Sequence, residues 1–215
     1  MNHTKCLTLW SCGSLISALA MFLVVGCQSA KEQTGSKPAT ATATAPTVTA
    51  PAATAEATPA SVPRIIRIDA GSDTNYVDSE SNVWLADQGF VDGEVVVRDE
   101  DMPIANTKDP ALYRTEHYDM TSFSEAVPNG KYTVKLHFAE TYEGISGPGD
   151  RVFSFNVGGQ HEFKDFDVWV KAGGAQHAYV VTVDNVDVTD GKLVITFTAN
   201  VQSPEVNGIE IIPAR

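Results

Sequence analysis

Cysteine is scarce in this chain: three in 215 residues, at positions 6, 12 and 27. Everything beyond Cys27 must therefore fold without an internal disulfide and stand on its hydrophobic core. Cations are scarce as well. From Arg64 onward, 12 Lys and Arg face 25 Asp and Glu, a formal charge near minus 13. Affinity for nucleic acid or anionic lipid is drawn from clustered cations, so this region is not expected to bind either. Its carboxylates suit neutral, hydroxyl-rich ligands, from which they accept hydrogen bonds. Phosphate-cradling loops are missing too. The glycine pairs at 158–159 and 173–174 and the stretch GPGDR at 147–151 lack the lysine and hydroxyl residue of such a loop, and read as turns. HEFKDFD offers His161, Asp165 and Asp167, but one histidine without a defined ligand set reads as an exposed turn between strands. No metal and no cofactor is expected.

What the N-terminal part does contain is ordered. Residues 1–26 carry Lys5, then the apolar run LISALAMFLVV, then Gly26 immediately before Cys27. That order of charge, apolar core and small residue predicts a secretory signal peptide, to be set aside from the fold. LVVGCQ resembles the bacterial lipoprotein signal, which implies that Cys27 is lipidated and becomes the mature N-terminus, held on a lipid bilayer by its acyl chains. Gln28 is not the aspartate linked to inner-membrane retention in such lipoproteins, so the expected location is the cell envelope, at the outer membrane or cell surface. Residues 27–63 form a linker. From residue 34 they contain little but Thr, Ala, Pro, Ser and Val, which cannot build an amphipathic face. Its prolines favour an extended tether.

Residues 64–215 read as a different material. RIIRIDA aligns Ile66, Ile68 and Ala70; KYTVKLHFA aligns Tyr132, Val134, Leu136 and Phe138 against Thr133, Lys135 and His137. RVFSFNV aligns Phe153, Phe155 and Val157, and KLVITFTA aligns Leu193, Ile195 and Phe197. Period two dominates, and PNG at 128–130, GG at 158–159 and DG at 190–191 stand where the chain must reverse. No long helical periodicity appears. The prediction is an all-β fold, a jelly-roll-like antiparallel β-sandwich. His137 falls on the face opposite the apolar one, which assigns it a surface or inter-strand hydrogen-bonding role.

Function in a sandwich usually sits on loops gathered at one end. The loop after KLHFA holds Glu140, Tyr142, Glu143 and several glycines. With Tyr113, Tyr118, Gln202 and Asn207 it supplies aromatic rings with polar tips, suited to the apolar face and hydroxyl rim of a sugar. Glu116, Glu140 and Glu143 also permit a glycosidase pair, which would need one acid kept protonated by burial and a fixed separation between the two.

Six blocks then carry a family likeness, in order: ALYRTEHY, NGKYTVKLHFAETY, RVFSFNVGG, FDVWVKAGG, DGKLVITF and PEVNGIEIIP. Together with RIDAGS and WLADQGF at the start, they resemble the malectin domain, a carbohydrate-binding module, from about Arg64 to Pro213. The resemblance implies a sandwich that binds a glucose disaccharide without transforming it. It places Tyr118 and Tyr142 at the family's sugar-contacting tyrosines. Glu143 stands where the family has phenylalanine, Gln202 where it has aspartate, and Arg98 near the position of a third tyrosine. The expected site is therefore Tyr118, Tyr142, Glu143, Gln202 and Glu116, and the expected partner a glucan-like oligosaccharide. A protein-binding or structural envelope sandwich and a glycoside hydrolase stand as alternatives.

Overall fold

The computed structural model describes residues 62–215. The signal segment, Cys27 and the linker up to residue 61 lie outside the described residues. Strands β1 (Ile66–Asp69), β2 (Tyr76–Val77), β3 (Val83–Trp84), β4 (Phe90–Val91) and β5 (Glu94–Val97) come first. A 3-10 turn at Pro110–Tyr113 leads to β6 (Thr115–Tyr118), β7 (Ser122–Ala126) and β8 (Gly130–Phe138). Next come β9 (Val152–Val157), β10 (His161–Phe166) and the short helix α1 (Val168–Ala172). Strands β11 (Tyr179–Val188), β12 (Lys192–Val201), β13 (Glu205–Val206) and β14 (Gly208–Pro213) complete the domain.

Two large antiparallel sheets form the all-β sandwich that the alternating residues predict: β1-β14-β8-β11 and β10-β9-β12-β7-β4. The alternation decides which side is buried. Val134, Leu136 and Phe138 of β8 join Ile209 and Ile211 of β14 on one inner face; Phe153 and Phe155 of β9 join Leu193 and Ile195 of β12 on the other. Complete burial of one such side chain contributes about 1.5–3 kcal/mol, so this layer dominates stability. The reversals use the turn residues expected of them. Gly158 and Gly159, at φ 65° and 70°, close the β9–β10 hairpin in the left-handed region that tight hairpin turns demand.

One expectation is corrected. HEFKDFD is not an exposed turn but mostly strand β10, paired antiparallel with β9. Apolar packing outweighs its charges: Phe163 stacks on Phe155 at 4.5 Å and Phe166 is buried. Asp165 takes φ 49° within the irregular stretch between Phe163 and Phe166, and accepts a hydrogen bond from Asn200. Asp167 accepts from Val170 N and so caps α1.

Outside the sandwich, a three-stranded sheet β13-β6-β5 and the β2–β3 pair build up one region. There a second apolar cluster, with Trp84, Leu112 and Tyr113, lies over His137. His137 fulfils its inter-strand role: its ring nitrogens lie 2.9 Å from Tyr113 Oη and 3.2 Å from Glu210 Oε1 on the neighbouring strand β14. Burial alone would raise the Glu210 carboxyl. Bonding to His137 and the charges of His137, Lys135 and Arg67 hold it down at about 2 instead.

Candidate functional site

Strand β8 delivers the chain into the long loop that ends at β9. Glu140 keeps the inward parity of Leu136 and Phe138, and Arg151 keeps that of Phe153 and Phe155, so two charged side chains enter the interior at the two roots of the loop. They find each other. Arg151 Nε lies 2.9 Å from Glu140 Oε2, an ion pair without hydrogen-bond alignment. Glu140 Oε1 accepts from Tyr142 N, its carbonyl accepts from Gln176 N, and buried Ile145 pins the turn beyond. Tyr142 itself is 48% exposed. Its ring lies over Gly144, where an ideal Cβ would fall 2.4 Å from Tyr142 Cε1, so glycine is required for this ring position.

The ring borders a cleft of about 300 Å³. Val96, Glu116 and Tyr118 come to it from the three-stranded sheet, Arg98 from just beyond β5, Tyr142 and Arg151 from the loop, and Gln202 and Ser203 from the β12–β13 turn. Each is fixed by a local cause. Tyr118 Oη donates to Glu94 Oε2 at 2.8 Å, which raises the phenol above its ordinary value. Gln202 sits at φ 61°, a left-handed conformation that costs a non-glycine residue and is held by neighbouring bonds. Ser203 Oγ donates to Asp119 Oδ1 at 2.7 Å, and Asp119 N donates to the Pro204 carbonyl. Arg98 bridges Thr141 Oγ1 through Nε and Glu116 Oε1 through Nη2, both at 3.0 Å, while Thr141 Oγ1 donates to Glu116 Oε2 at 2.8 Å.

Beneath the cleft lies a floor of charge. Glu205, opposite Tyr118 in the β13–β6 ladder, is completely buried. Neither of its carboxyl oxygens finds a hydrogen-bond partner among the described residues. Burial, with repulsion from Glu116 and Glu140, pushes this carboxyl well above the usual range despite the attraction of Arg151 and Arg98. Burial also raises Glu140, against the pull of Arg151.

The structure thus brings Tyr118, Tyr142, Glu116 and Gln202 together, from positions up to 86 residues apart in sequence, on one cleft. Glu143 is not among the lining residues: it occupies the turn after Tyr142 and is exposed. Tyr113 and Asn207 serve the framework instead. Tyr113 bonds His137, and buried Asn207 accepts from Ala139 N and donates to the carbonyl of Thr115, tying β14 to β6 and the loop. Arg151 and Glu205 escaped notice in the sequence. The usable signal was parity: an arginine continuing the inward series of Phe153, Phe155 and Val157 announces a buried charge in need of a partner.

Comparison with known proteins places the fold. The model of the Malectin domain matches residues 64–210. Receptor-like protein 4 of Arabidopsis thaliana is 34% identical over 96 residues, which are 45% of this chain and 14% of the relative. The receptor-like protein kinase FERONIA of the same plant is 26% identical over 153 residues, covering 66% of this chain and 17% of its own. This chain therefore spans only about a sixth or less of these relatives. Among solved structures, the plant receptor-like kinase FER superposes with a TM-score of 0.59 at 20% identity, over 69% of this chain and 48% of that one. A Bacteroides uniformis β-glucuronidase superposes with a TM-score of 0.63 at 18% identity, over 71% of this chain and 18% of the enzyme.

Proposed function

Because the chain belongs to the malectin domain family, we propose that it binds carbohydrate in the Tyr118–Tyr142 cleft without transforming it. The ligand is a neutral, glucose-containing di- or oligosaccharide. The observation that carries this reading is the convergence of two amphipathic rings with Glu116, Gln202 and Arg98, from four separate segments, on one cleft of about 300 Å³. That volume lies at the small end of ligand sites and suits one or two sugar rings. An open site of this kind binds with dissociation constants of about 1 μM to 1 mM.

Carboxyl placement argues against a hydrolase. Glu140 and Glu205 are buried under the cleft, and both oxygens of Glu116 are engaged by Arg98 and Thr141. Among the residues that line the cleft, no carboxyl is left free to protonate a glycosidic oxygen. A second reading, docking of an extended peptide, draws on β5, which ends the three-stranded sheet with Val95 and Val97 exposed. One plant relative, FER, has been solved with the peptide RALF23 and LLG2. A glycan array followed by calorimetry tests the main reading. Saturable binding with no release of reducing ends supports it, turnover would make the protein an enzyme, and a co-purifying protein without any bound glycan would favour the second.

The proposal also sets the domain on a lipid anchor at Cys27, with the Thr/Ala/Pro-rich stretch as its tether. The order of Lys5, apolar run, Gly26 and Cys27 supports this. Cys27→Ser should release the protein from the membrane fraction; unchanged membrane association, with residues 1–26 retained, would point to a spanning helix.

A further inference from the structure

Arg151 has no part in the sugar contact described above, yet it borders the same cleft while only 6% exposed. Its Nε faces Glu140 Oε2 out of alignment, and neither Nε nor Nη1 reaches a hydrogen-bond acceptor among the described residues. Unspent donors on a buried guanidinium are costly unless something accepts them. Glu205 shows the complementary defect, with two buried acceptors and no donor. Arg98 differs from Arg151. Its Nε and one Nη are already spent on Thr141 and Glu116.

We propose that Arg151 is a further ligand-contacting residue of the cleft, donating to acceptor oxygens of the bound sugar, with Glu140 and Glu205 as positioning residues beneath it. This rests on the carbohydrate reading and names the group that fixes the ring once the tyrosines have stacked on it. Glu140 neutralises the guanidinium at Nε, which like Nη1 is buried, so the remaining nitrogen, Nη2, is the donor available to the cleft. Glu205 acts through its charge state. The charged groups acting on it are Glu116 from β6, Glu140 and Arg151 from the two roots of the loop, and Arg98 from beyond β5. Uncharged, Glu205 leaves two guanidinium groups balanced against two carboxylates. Ionised, it becomes a second anion competing with the ligand for Arg151. Burial and the neighbouring carboxylates place that ionisation well above the ordinary glutamate range, so affinity is full at lower pH and is lost as pH rises through it.

The test uses the full chain, with maltotriose and cellotriose as probes, in calorimetry from mildly acidic to alkaline pH. Arg151→Lys keeps a cation opposite Glu140, so the fold is preserved, but loses the planar fork; affinity should fall about tenfold with an unchanged melting temperature. Glu205→Gln should keep the low-pH affinity and abolish its loss at higher pH. Infrared spectra at mildly acidic pH, above the ordinary glutamate range, should show the carbonyl stretch of a protonated carboxylic acid that Glu205→Gln removes. Affinity unchanged in Arg151→Lys but destroyed in Tyr142→Ala would overturn this inference and leave the sugar reading standing. Absence of the carbonyl band, or a loss of affinity with rising pH that persists in Glu205→Gln, would overturn the role of Glu205. Binding of neither probe, nor of any glycan on an array, would overturn both the inference and the reading beneath it.

Discussion

Between the two large sheets, Phe138, Phe153, Phe155 and Phe166 pack with ring centroids 5.1 to 6.2 Å apart, in a layer of branched aliphatic side chains. Under the cleft, equally deep burial is given to Glu116, Glu140, Glu205 and Arg151, with Arg98 at their edge. The first layer is held by area removed from water, which has no direction and tolerates no charge. The second is held by pairing. Glu116 and Glu140 would each be costly alone and are kept by Arg98 and Arg151 from other segments, an arrangement that contributes little net stability but sets geometry, while Glu205 has no such partner among the described residues. The same contrast separates the aromatic residues: the phenylalanines are interior, whereas Tyr118 and Tyr142, each with a polar tip, are left at the rim.

Phe153→Ala strikes the apolar layer directly. It should cost about 3–5 kcal/mol, because the neighbouring rings cannot fully close the cavity. Chemical denaturation checks this, and a loss below about 1 kcal/mol would mean that the sheets repack freely and that the two regions differ less than stated.

Acidity probes the contrast between paired and unpaired buried carboxylates. Asp69 is buried, with a Thr115 hydroxyl as partner and Asp87 as a nearby like charge, and its pKa is raised from 3.8 to about 7. The unfolded chain thus releases this proton earlier than the folded one. Its contribution is most favourable below pH 3.8 and is lost as pH rises through about 7. Glu210 has the opposite sign. Lowered from 4.5 to about 2, it contributes stability above pH 4.5 that is lost as pH falls through about 2. Stability curves of Asp69→Asn and Glu210→Gln against pH should therefore depart from the wild type at opposite ends of the scale. Departures at the same end would show that burial does not govern Asp69 or that its charged neighbours do not govern Glu210.

Tyr142→Ala should weaken sugar binding at least about tenfold while leaving the melting temperature within a few degrees, as befits a half-exposed anchor rather than a core ring. Calorimetry beside thermal melting distinguishes the two; a large stability loss with unchanged affinity would move Tyr142 into the framework. Gly144→Ala sharpens the point from a distance, since the added methyl displaces the Tyr142 ring and should lower affinity without touching the ligand. The smallest effect is expected at Glu143. Glu143→Gln should change affinity by less than about twofold, because the side chain is exposed beside the cleft and its charge is screened. A tenfold change there would restore it to the site.

Much of the sandwich was legible because a strand declares its buried face every second residue. Runs such as YTVKLHF and VFSFNV, with their bounding turns, named the strands and inner positions that the structure contains. HEFKDF was missed because two phenylalanines either side of a bulge break strict alternation. Tyr118 and Tyr142 were set apart from Tyr113 only through likeness to a family. Asn207 and Tyr113, of similar chemistry, proved to be framework residues, since their hydrogen-bond partners lie on strands distant in sequence.

Sequence by itself determined that this region buries alternating apolar residues without disulfides, that its surface is acidic, and that charged residues extend the inward parity of β8 and β9. Only the tertiary structure decided what those charges meet. A hydrophobic side chain is satisfied by any apolar neighbour, so local alternation suffices to predict its burial. A buried charge is satisfied only by a particular opposite charge or donor, which at the cleft arrives from positions as far apart as Arg98, Glu116, Glu140, Arg151 and Glu205. That convergence is a property of the sheet order, and no window of the chain contains it.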